Sequence, residues 1–180
     1  CAFGGFNLIK YLKKKIIVSP IKINKKINNL IENCIIFYTG IQRKAEIIER
    51  DKIKNLKKNE ISYLRINEIS HEAIKVINSQ SNNYISEIAM LMRESWKYKK
   101  SLSNYVSNKR INNLYESGLN NGAIAGKILG AGGGGFMLFL TKNIAQRQRL
   151  ISQLKKNYYF QFQLDKEGSK IFQVSDSDIK

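Results

Sequence analysis

The sequence predicts an α+β fold, because segments of strand length lie near both ends of the chain and a run of amphipathic helices lies between them. The 180 residues are enough for one well-buried domain and too few for two ordinary ones. Hydrophobic residues make up 43% of the chain and charged residues 25%, which is typical of a soluble globular protein. We therefore predict a single domain over residues 1–180.

The first elements are predicted from segments rich in β-branched residues. Residues 6–12 and 16–23 are expected to form two strands, and Pro20 restricts part of the second to an edge or a bend. The spacing of apolar residues over 27–31 suggests a short helical turn. Cys34–Tyr38 is a continuous apolar segment of strand length that ends at Thr39 and Gly40.

Apolar residues spaced three or four apart predict the central helices. After Gly40, the residues on or near one helical face are Ala45, Ile48, Lys52 and Leu56. A second helix is expected over about residues 62–80. A third is marked by Ile85, Ile88, Met92 and Trp96, and a fourth by Ile111, Leu114, Tyr115 and Leu119. Candidate N-caps are Asn82 or Asn83 for the third and Ser107 or Asn108 for the fourth.

The last third of the chain is expected to return to strands. Residues 126–135 are predicted as a loop, and the apolar residues 136–140 as a buried strand. A helix is predicted over about residues 144–156. Residues 159–164 and 170–174 are expected to pair as closing strands around Gly168.

The net charge is strongly positive, since 31 Lys and Arg residues face 14 Asp and Glu residues, a difference of +17. Such a balance is compatible with nucleic acids or with anionic substrates. However, the lysines occur in short clusters at separate places, and no basic stripe is interleaved with aromatic residues. The pattern therefore disfavours nucleic-acid binding.

The chain has few residues that bind metals. Two cysteines, Cys1 and Cys34, and a single histidine, His71, predict neither a disulfide framework nor a zinc site. No apolar segment approaches the ~20 residues of a membrane span. We therefore expect a reduced, cytoplasmic protein with no membrane segment and no metal ligands. His71 and Trp96 lie in helical patterns and are predicted to be packing residues.

The strongest chemical signal is a glycine loop over residues 130–135, with five glycines among its six residues. It matches the spacing of a dinucleotide-binding fingerprint, but the predicted context is a helix before it and a strand after it. A Walker A loop is excluded because Phe136 stands where Lys and Ser or Thr are required. Two explanations remain: a backbone nest that binds phosphate with Lys127 nearby, or a tight, closely packed turn with no ligand.

The segment around this loop resembles a known motif. Residues 122–136, GAIAGKILGAGGGGF, resemble the C-terminal glycine motif of the GHMP small-molecule kinases, and within them the D-glycero-D-manno-heptose 7-phosphate kinases most closely. Residues 3–7 (FGGFN) and 37–45 (FYTGIQRKA) are similar to two further segments of that family. A fourth segment is similar to a helical stretch of the family. It consists of Glu94, Ser95 and Trp96, followed by Lys99, Leu102 and Ser103.

The resemblance implies a ferredoxin-like C-terminal domain, with an antiparallel sheet and several helices packed on it. It implies an ATP- and Mg²⁺-dependent phosphotransferase whose N-terminal ATP-binding domain and catalytic Asp are expected upstream of Cys1. No catalytic residue would then lie in this chain, and the chain alone is expected to be inactive. The residues implied to lie near the ATP phosphates are Lys127, Gly130, Ala131, Gly132, Gly133, Gly134 and Gly135. Those implied to face the sugar phosphate are Gly4, Gly5, Thr39, Gly40 and Arg43.

Alternatives remain at two residues and for the function. Arg43 is either a bidentate phosphate ligand or a solvated residue on a first helical turn. Lys127 either approaches phosphate, pairs with an acidic neighbour or caps a helix C-terminus. The substrate is a heptose phosphate, or another sugar such as fucose or galactose. A non-catalytic remnant or a basic binding module is the remaining alternative.

Overall fold

A computed structural model describes residues 3–170, which fall into two compact units. The described residues of the first unit are 3–25 and 163–170. Its strands β1 (Asn7–Leu12) and β2 (Lys15–Pro20) form an antiparallel hairpin in which Asn7 pairs with Pro20 and Leu12 with Lys15. Both predicted strands are confirmed, and Pro20 lies at a strand end, where its missing N–H costs no ladder bond. The single domain over residues 1–180 stays a prediction.

The second unit, residues 26–162, is built on a four-stranded antiparallel sheet. Its strands are β3 (Cys34–Tyr38), β4 (Ala123–Ile128), β5 (Phe136–Thr141) and β6 (Tyr159–Phe160), in the spatial order β4-β5-β3-β6. Cys34 pairs with Leu140, and Tyr38 pairs with Phe136. Because β4 and β5 are joined directly, the glycine loop is the tip of a hairpin.

The helices follow the predicted order. They are α1 (Lys25–Glu32), α2 (Ala45–Lys54), α3 (Glu60–Asn78), α4 (Tyr84–Ser101), α5 (Lys109–Asn120) and α6 (Ile144–Gln153). Asn108 caps α5 by accepting a hydrogen bond from the Ile111 amide at 3.0 Å, as predicted. Asn83 occupies the N-cap position of α4, but its side chain makes no capping bond.

The sheet separates two clusters of buried side chains. On one face, Phe37 and Phe139 meet edge to face at 5.9 Å and pack with Trp96 of α4, Leu114 of α5 and Leu150 of α6. Alternate residues of β3 and β5 point to the opposite face. There, Cys34 and Leu140 belong to a smaller cluster with residues of α1 and α4. The α+β prediction with an antiparallel sheet is confirmed.

The long helices α3 and α4 are joined by a charged network centred on Arg65 of α3. Its Nε donates to Glu94 of α4 at 2.8 Å, and its Nη1 donates to Glu72 at 2.6 Å. The hydrogen bond from Arg65 lowers the pKa of Glu94. These groups are partly exposed, so the network fixes the register of the two helices more than it stabilises them.

Three sequence-based expectations were wrong. Residues 126–135 are not loop throughout, because β4 extends to Ile128, and the whole of this strand was missed. Residues 159–164 do not form a strand throughout, since only Tyr159–Phe160 is a strand, and it pairs with β3. Residues 171–174, the other part of that predicted pair, lie outside the described residues. His71 is exposed and therefore not a packing residue, whereas Trp96 is 1% exposed, as expected.

None of the helices in residues 3–170 combines the length and the apolar character required to cross a membrane.

Gly118, in the interior of α5, provides a test of this packing. A Cβ atom at Gly118 would overlap the ring of Phe139, which is completely buried. Gly→Ala in a helix normally stabilises by about 1 kcal/mol. Here we expect Gly118→Ala to destabilise the fold by about 1–3 kcal/mol, because the ring cannot move without disturbing Phe37. Urea unfolding followed by circular dichroism measures the change.

The matched control is Asn113→Ala at an exposed position of the same helix, which should leave stability unchanged or slightly raised. Adding Phe139→Leu to Gly118→Ala should recover part of the loss, because the smaller side chain makes room for the new methyl group. An increase in stability for Gly118→Ala alone would contradict the packing described.

Candidate functional site

The glycine loop has a backbone that other residues rarely adopt. Gly130, Gly132, Gly133 and Gly135 have φ angles of 67°, 108°, 74° and 77°. Such left-handed angles strain any residue with a Cβ atom, which explains the concentration of glycine. Strands lie on both sides of the loop, so it lacks the following helix of a dinucleotide-binding fingerprint.

Close packing accounts for the three central glycines. A Cβ on Gly132 would lie 2.8 Å from Val106 Cγ1, one on Gly133 would lie 2.7 Å from the Tyr105 carbonyl, and one on Gly134 would lie 2.6 Å from the Ile41 carbonyl. Gly132, Gly133 and Gly134 are all buried. The loop is therefore pressed between the β3–α2 turn and the α4–α5 connection. Gly130 and Gly135 have open space at the Cβ position.

The loop amides fall into two groups. Gly133 N–H donates to the Val106 carbonyl at 2.6 Å and Gly135 N–H donates to the Ile41 carbonyl at 2.9 Å. The amides of Gly130, Ala131, Gly132 and Gly134 find no acceptor among the described residues. A phosphate nest of the predicted kind therefore has these four N–H groups available and not the other two.

Two lysines that were not among the predicted site residues bind the carbonyl side of the loop, although Lys99 belongs to the helical motif quoted for the resemblance. Lys52 Nζ of α2 donates to the Ala131 carbonyl at 2.8 Å and to Glu49 Oε1 at 2.9 Å. Lys99 Nζ of α4 donates to the carbonyls of Ile128 at 2.8 Å and Gly130 at 2.6 Å. One signal was present in the sequence, since Lys52 lies on the otherwise apolar face of α2 with Ile48.

The β3–α2 turn lies against the other end of the loop. The Thr39 amide and hydroxyl both donate to the Gly135 carbonyl at 2.9 Å, and Thr39 is 1% exposed. The Thr39 hydroxyl also accepts from the Ile41 amide at 3.3 Å. In this structure, Thr39 therefore joins the turn to the glycine loop and its hydroxyl proton is used internally.

Two arginines lie at this turn. The Arg43 side chain approaches Gly133, and its buried Nε finds no hydrogen-bond partner among the described residues. The guanidinium of Arg110, on the first turn of α5, lies where a Cβ of Gly40 would be. Gly40 has a φ of 72° and so provides both the turn and the space for this guanidinium. Nothing in the sequence around Arg110 pointed to this contact.

Lys127 lies on β4, and its amine donates to Ser95 Oγ of α4 at 3.0 Å. It neither pairs with a carboxylate nor caps a helix in the described part of the chain. Burial lowers its pKa. We call Arg43, Lys52, Lys99 and Lys127 the cationic cluster, because each of the other three charges lowers the pKa of Lys99.

The electrostatics of the cationic cluster favour an anion. Burial and, to a lesser degree, the neighbouring charges of Lys127 and Lys52 lower the pKa of Lys99 to about 7, while Glu49 acts in the opposite direction. Like charges this close disfavour one another unless a counter-charge is present. The triphosphate of ATP fits this set of residues by charge and by the available amides of the glycine loop.

A divalent metal does not fit the described residues. Within residues 3–170, no group of three or more His, Cys, Asp and Glu side chains is placed to hold a metal ion. Mg²⁺ requires oxygen ligands, which the cationic cluster does not offer.

Gly4 and Gly5 belong to the first unit. A Cβ on Gly4 would collide with the backbone of residues 166–167, and Gly5 N–H donates to the Asp165 carbonyl at 2.6 Å with a φ of 81°. Close backbone contact within that unit therefore explains both glycines. Their predicted contact with a sugar phosphate stays a prediction.

Comparison with known proteins agrees with this architecture. Residues 73–159 match the family model for the C-terminal part of GHMP kinases. The chain is 34% identical over 176 residues to the D-glycero-alpha-D-manno-heptose 7-phosphate kinase of Campylobacter jejuni, covering 96% of this chain and 51% of that protein. It is 32% identical over 85 residues to a bifunctional fucokinase/GDP-fucose pyrophosphorylase of Arabidopsis thaliana, covering 44% of this chain and 7% of that protein.

Among solved structures, the mevalonate kinase of L. major in complex with R-mevalonate superposes with a TM-score of 0.70 at 17% identity, over 93% of this chain and 51% of that one. At this identity the likeness concerns the fold alone. The chain spans about half the length of the Campylobacter jejuni relative. Its antiparallel fold and its glycine loop agree with these matches: residues 73–159 match the C-terminal part of the GHMP kinases, and the chain has the α+β fold of that domain.

Proposed function

We propose that the chain is the C-terminal part of an ATP-dependent sugar kinase that phosphorylates D-glycero-D-manno-heptose 7-phosphate in the cytoplasm. The observation that carries the proposal is the cationic cluster beside a glycine loop with unpaired amides. The 34% identity to a heptose 7-phosphate kinase over nearly the whole chain supports the substrate class. Both the donor and the acceptor in such a reaction carry phosphate, which agrees with the net charge of +17.

Phosphoryl transfer depends mainly on positioning and on the stabilisation of charge at the transferred group. In our proposal, the available amides of Gly130, Ala131 and Gly132 face the terminal phosphates of ATP, and Lys99 contributes charge from the carbonyl side of the loop. These donors are held by the fold before the reaction starts, so little reorganisation is needed as charge develops. Lys127 contributes charge from β4 without a direct contact.

The catalytic base and the Mg²⁺ ligands are proposed to come from an N-terminal ATP-binding domain. The described residues offer no metal site, and the Campylobacter jejuni relative is about twice as long as the matched region. The chain by itself would then bind phosphate groups but transfer none. When bound, Mg²⁺ would neutralise charge on the ATP phosphates.

The sugar phosphate is proposed to bind at the β3–α2 turn. Arg43 and Arg110 present guanidinium groups there, and guanidinium binds phosphate in a bidentate manner. Gly40 keeps the turn open to Arg110, while Thr39 holds the turn against Gly135. The second phosphate of the substrate would thus be recognised separately from the ATP phosphates.

Fucose phosphorylation is the second candidate function, favoured by the 32% identity to the Arabidopsis thaliana fucokinase protein over 85 residues. Fucose carries no phosphate, so the two arginines would have no anionic partner on that substrate. A kinase for fucose is therefore the weaker match to the charges of the site.

The substrate is tested with the full-length gene product and ATP. We expect kcat/KM for D-glycero-D-manno-heptose 7-phosphate to exceed that for L-fucose by tenfold or more, because a charge-assisted phosphate contact contributes about 1.5–3 kcal/mol. The 180-residue chain alone should show negligible transfer. A higher kcat/KM for L-fucose would mean that fucose, and not the heptose phosphate, is the substrate. Absence of transfer together with nucleic-acid affinity that falls steeply with salt would favour the binding module.

The two arginines are tested as Arg43→Met and Arg110→Met in the same full-length protein. Each change should raise KM for the heptose phosphate by about tenfold or more and change kcat less, because a contact with the non-reacting phosphate is lost in both ground and transition states. Arg50→Met is the matched control, since that side chain is 70% exposed and pairs with Glu46 at the surface of α2. Equal KM values for all three variants would refute the placement of the sugar phosphate.

The charge state of Lys99 predicts a pH dependence. An anion favours the ammonium form and so raises the pKa of Lys99 from about 7. Binding of pyrophosphate at pH 8 should therefore take up a fraction of a proton, and affinity should fall as the pH rises from 7 to 9. Calorimetry in buffers of different ionisation enthalpy measures this uptake.

Lys99→Arg should bind with little proton uptake, because arginine stays charged across this range. Lys97→Met, at an exposed position of the same helix, should behave like the parent protein. Proton uptake that persists unchanged in Lys99→Arg would assign the titration to another group, such as Lys127.

A further inference from the structure

Two lysines donate hydrogen bonds directly to backbone carbonyl groups of the glycine loop and of the residue where β4 ends. We infer that Lys52 and Lys99 are positioning residues: they hold the first half of the glycine loop so that the amides of Ala131 and Gly132 point away from them, toward the phosphate. This inference rests on the proposed function for the identity of the ligand, but not for the geometry of the loop.

Lys99 connects α4 to the point where β4 becomes the loop. Its Nζ donates to the carbonyl of Ile128, the last residue of β4, and to that of Gly130, the first residue of the loop. One ammonium therefore bridges two carbonyls on either side of Leu129. If the Lys99 amine is removed, both carbonyls lose this hydrogen bond. The Leu129 amide still donates its own hydrogen bond to the Phe136 carbonyl at 2.9 Å.

Lys52 connects α2 to the next peptide of the loop. It is 7% exposed, and its Nζ lies between the Ala131 carbonyl and Glu49 Oε1. A buried ammonium is stable only when its donors are used, and both contacts are charge-assisted. Glu49 lies three residues earlier on α2, so the helix itself sets the direction of the Lys52 side chain.

Peptide geometry converts these carbonyl contacts into amide directions. All peptide bonds in the described residues are trans, and in a planar trans peptide the C=O and N–H groups point in opposite directions. The Gly130 carbonyl points to Lys99, so the Ala131 N–H of the same peptide points away from Lys99. By the same geometry, the Ala131 carbonyl points to Lys52, and the Gly132 N–H points away from Lys52.

The second half of the loop is held differently. Gly133 and Gly135 donate their own amides to the carbonyls of Val106 and Ile41, which removes them from ligand binding. The second half is therefore fixed through two of its N–H groups and through the Gly135 carbonyl, which accepts from Thr39. The first half is fixed through its C=O groups, and all three of its amides are available. There the lysines supply the order that glycine by itself lacks.

The test uses the 180-residue chain with Lys52→Met and Lys99→Met, which keep most of the length of the side chain and remove its donors. Controls are Lys54→Met on α2 and Lys97→Met on α4, two exposed lysines. NMR relaxation should give amide order parameters near ~0.85 for Ala131 and Gly132 in the parent and controls, and below ~0.6 in the two variants. The affinity for inorganic pyrophosphate should fall about tenfold in the same variants.

Lys99→Arg, whose guanidinium can still donate to two carbonyls, should restore the order of the loop. If a methionine variant does not fold, Lys99→Gln, with a shorter polar side chain, is expected to show the same loss of order. Unchanged order parameters in the folded variants would overturn the positioning role. If order falls but the parent chain does not bind pyrophosphate, the positioning role stands and the proposed phosphate site fails.

Discussion

The close approach of the glycine loop to two neighbouring segments is the constraint on which the candidate site depends. Residues 132–134 pass so near to Ile41, Tyr105 and Val106 that no Cβ atom fits. This contact joins the β3–α2 turn, the α4–α5 connection and the β4–β5 hairpin. Arg43 lies in the first of these segments and approaches Gly133, while Arg110 lies on α5 just after the second and places its guanidinium at Gly40. A ligand site results from packing that glycine alone permits.

The second consequence of this close packing is that several cations are buried in one place. Lys52 and Lys99 extend from two helices toward the hairpin that carries Lys127, and the pKa of Lys99 falls to about 7. Glu49 compensates part of this charge through its ion pair with Lys52. A folded chain tolerates such repulsion where the charges also bind carbonyls or serve an anion. The two roles coincide here, since the lysines bind the backbone of the loop that we propose as a phosphate site.

Much of the fold could be predicted from local patterns. The strand Cys34–Tyr38 and the helices α3, α4 and α5 follow directly from apolar spacing, because each buries one face against the sheet or a neighbouring helix. Strand β4 was missed because Gly126 and Lys127 are poor strand residues. Gly126 is accommodated because the ring of Phe139 occupies its Cβ space, and Lys127 because its amine reaches Ser95. Both reasons lie on other elements.

The sequence by itself determined the types and order of most elements, the glycine run and its likeness to a kinase motif. Those properties depend on backbone preference and on periodicity, which are local. Only the tertiary structure decided that Lys52 and Lys99 bind the loop carbonyls, that Arg110 lies over Gly40 and that Gly133 and Gly135 use their amides internally. These contacts join residues that are far apart in the chain, and isolated lysines and arginines carry no pattern that would reveal their partners.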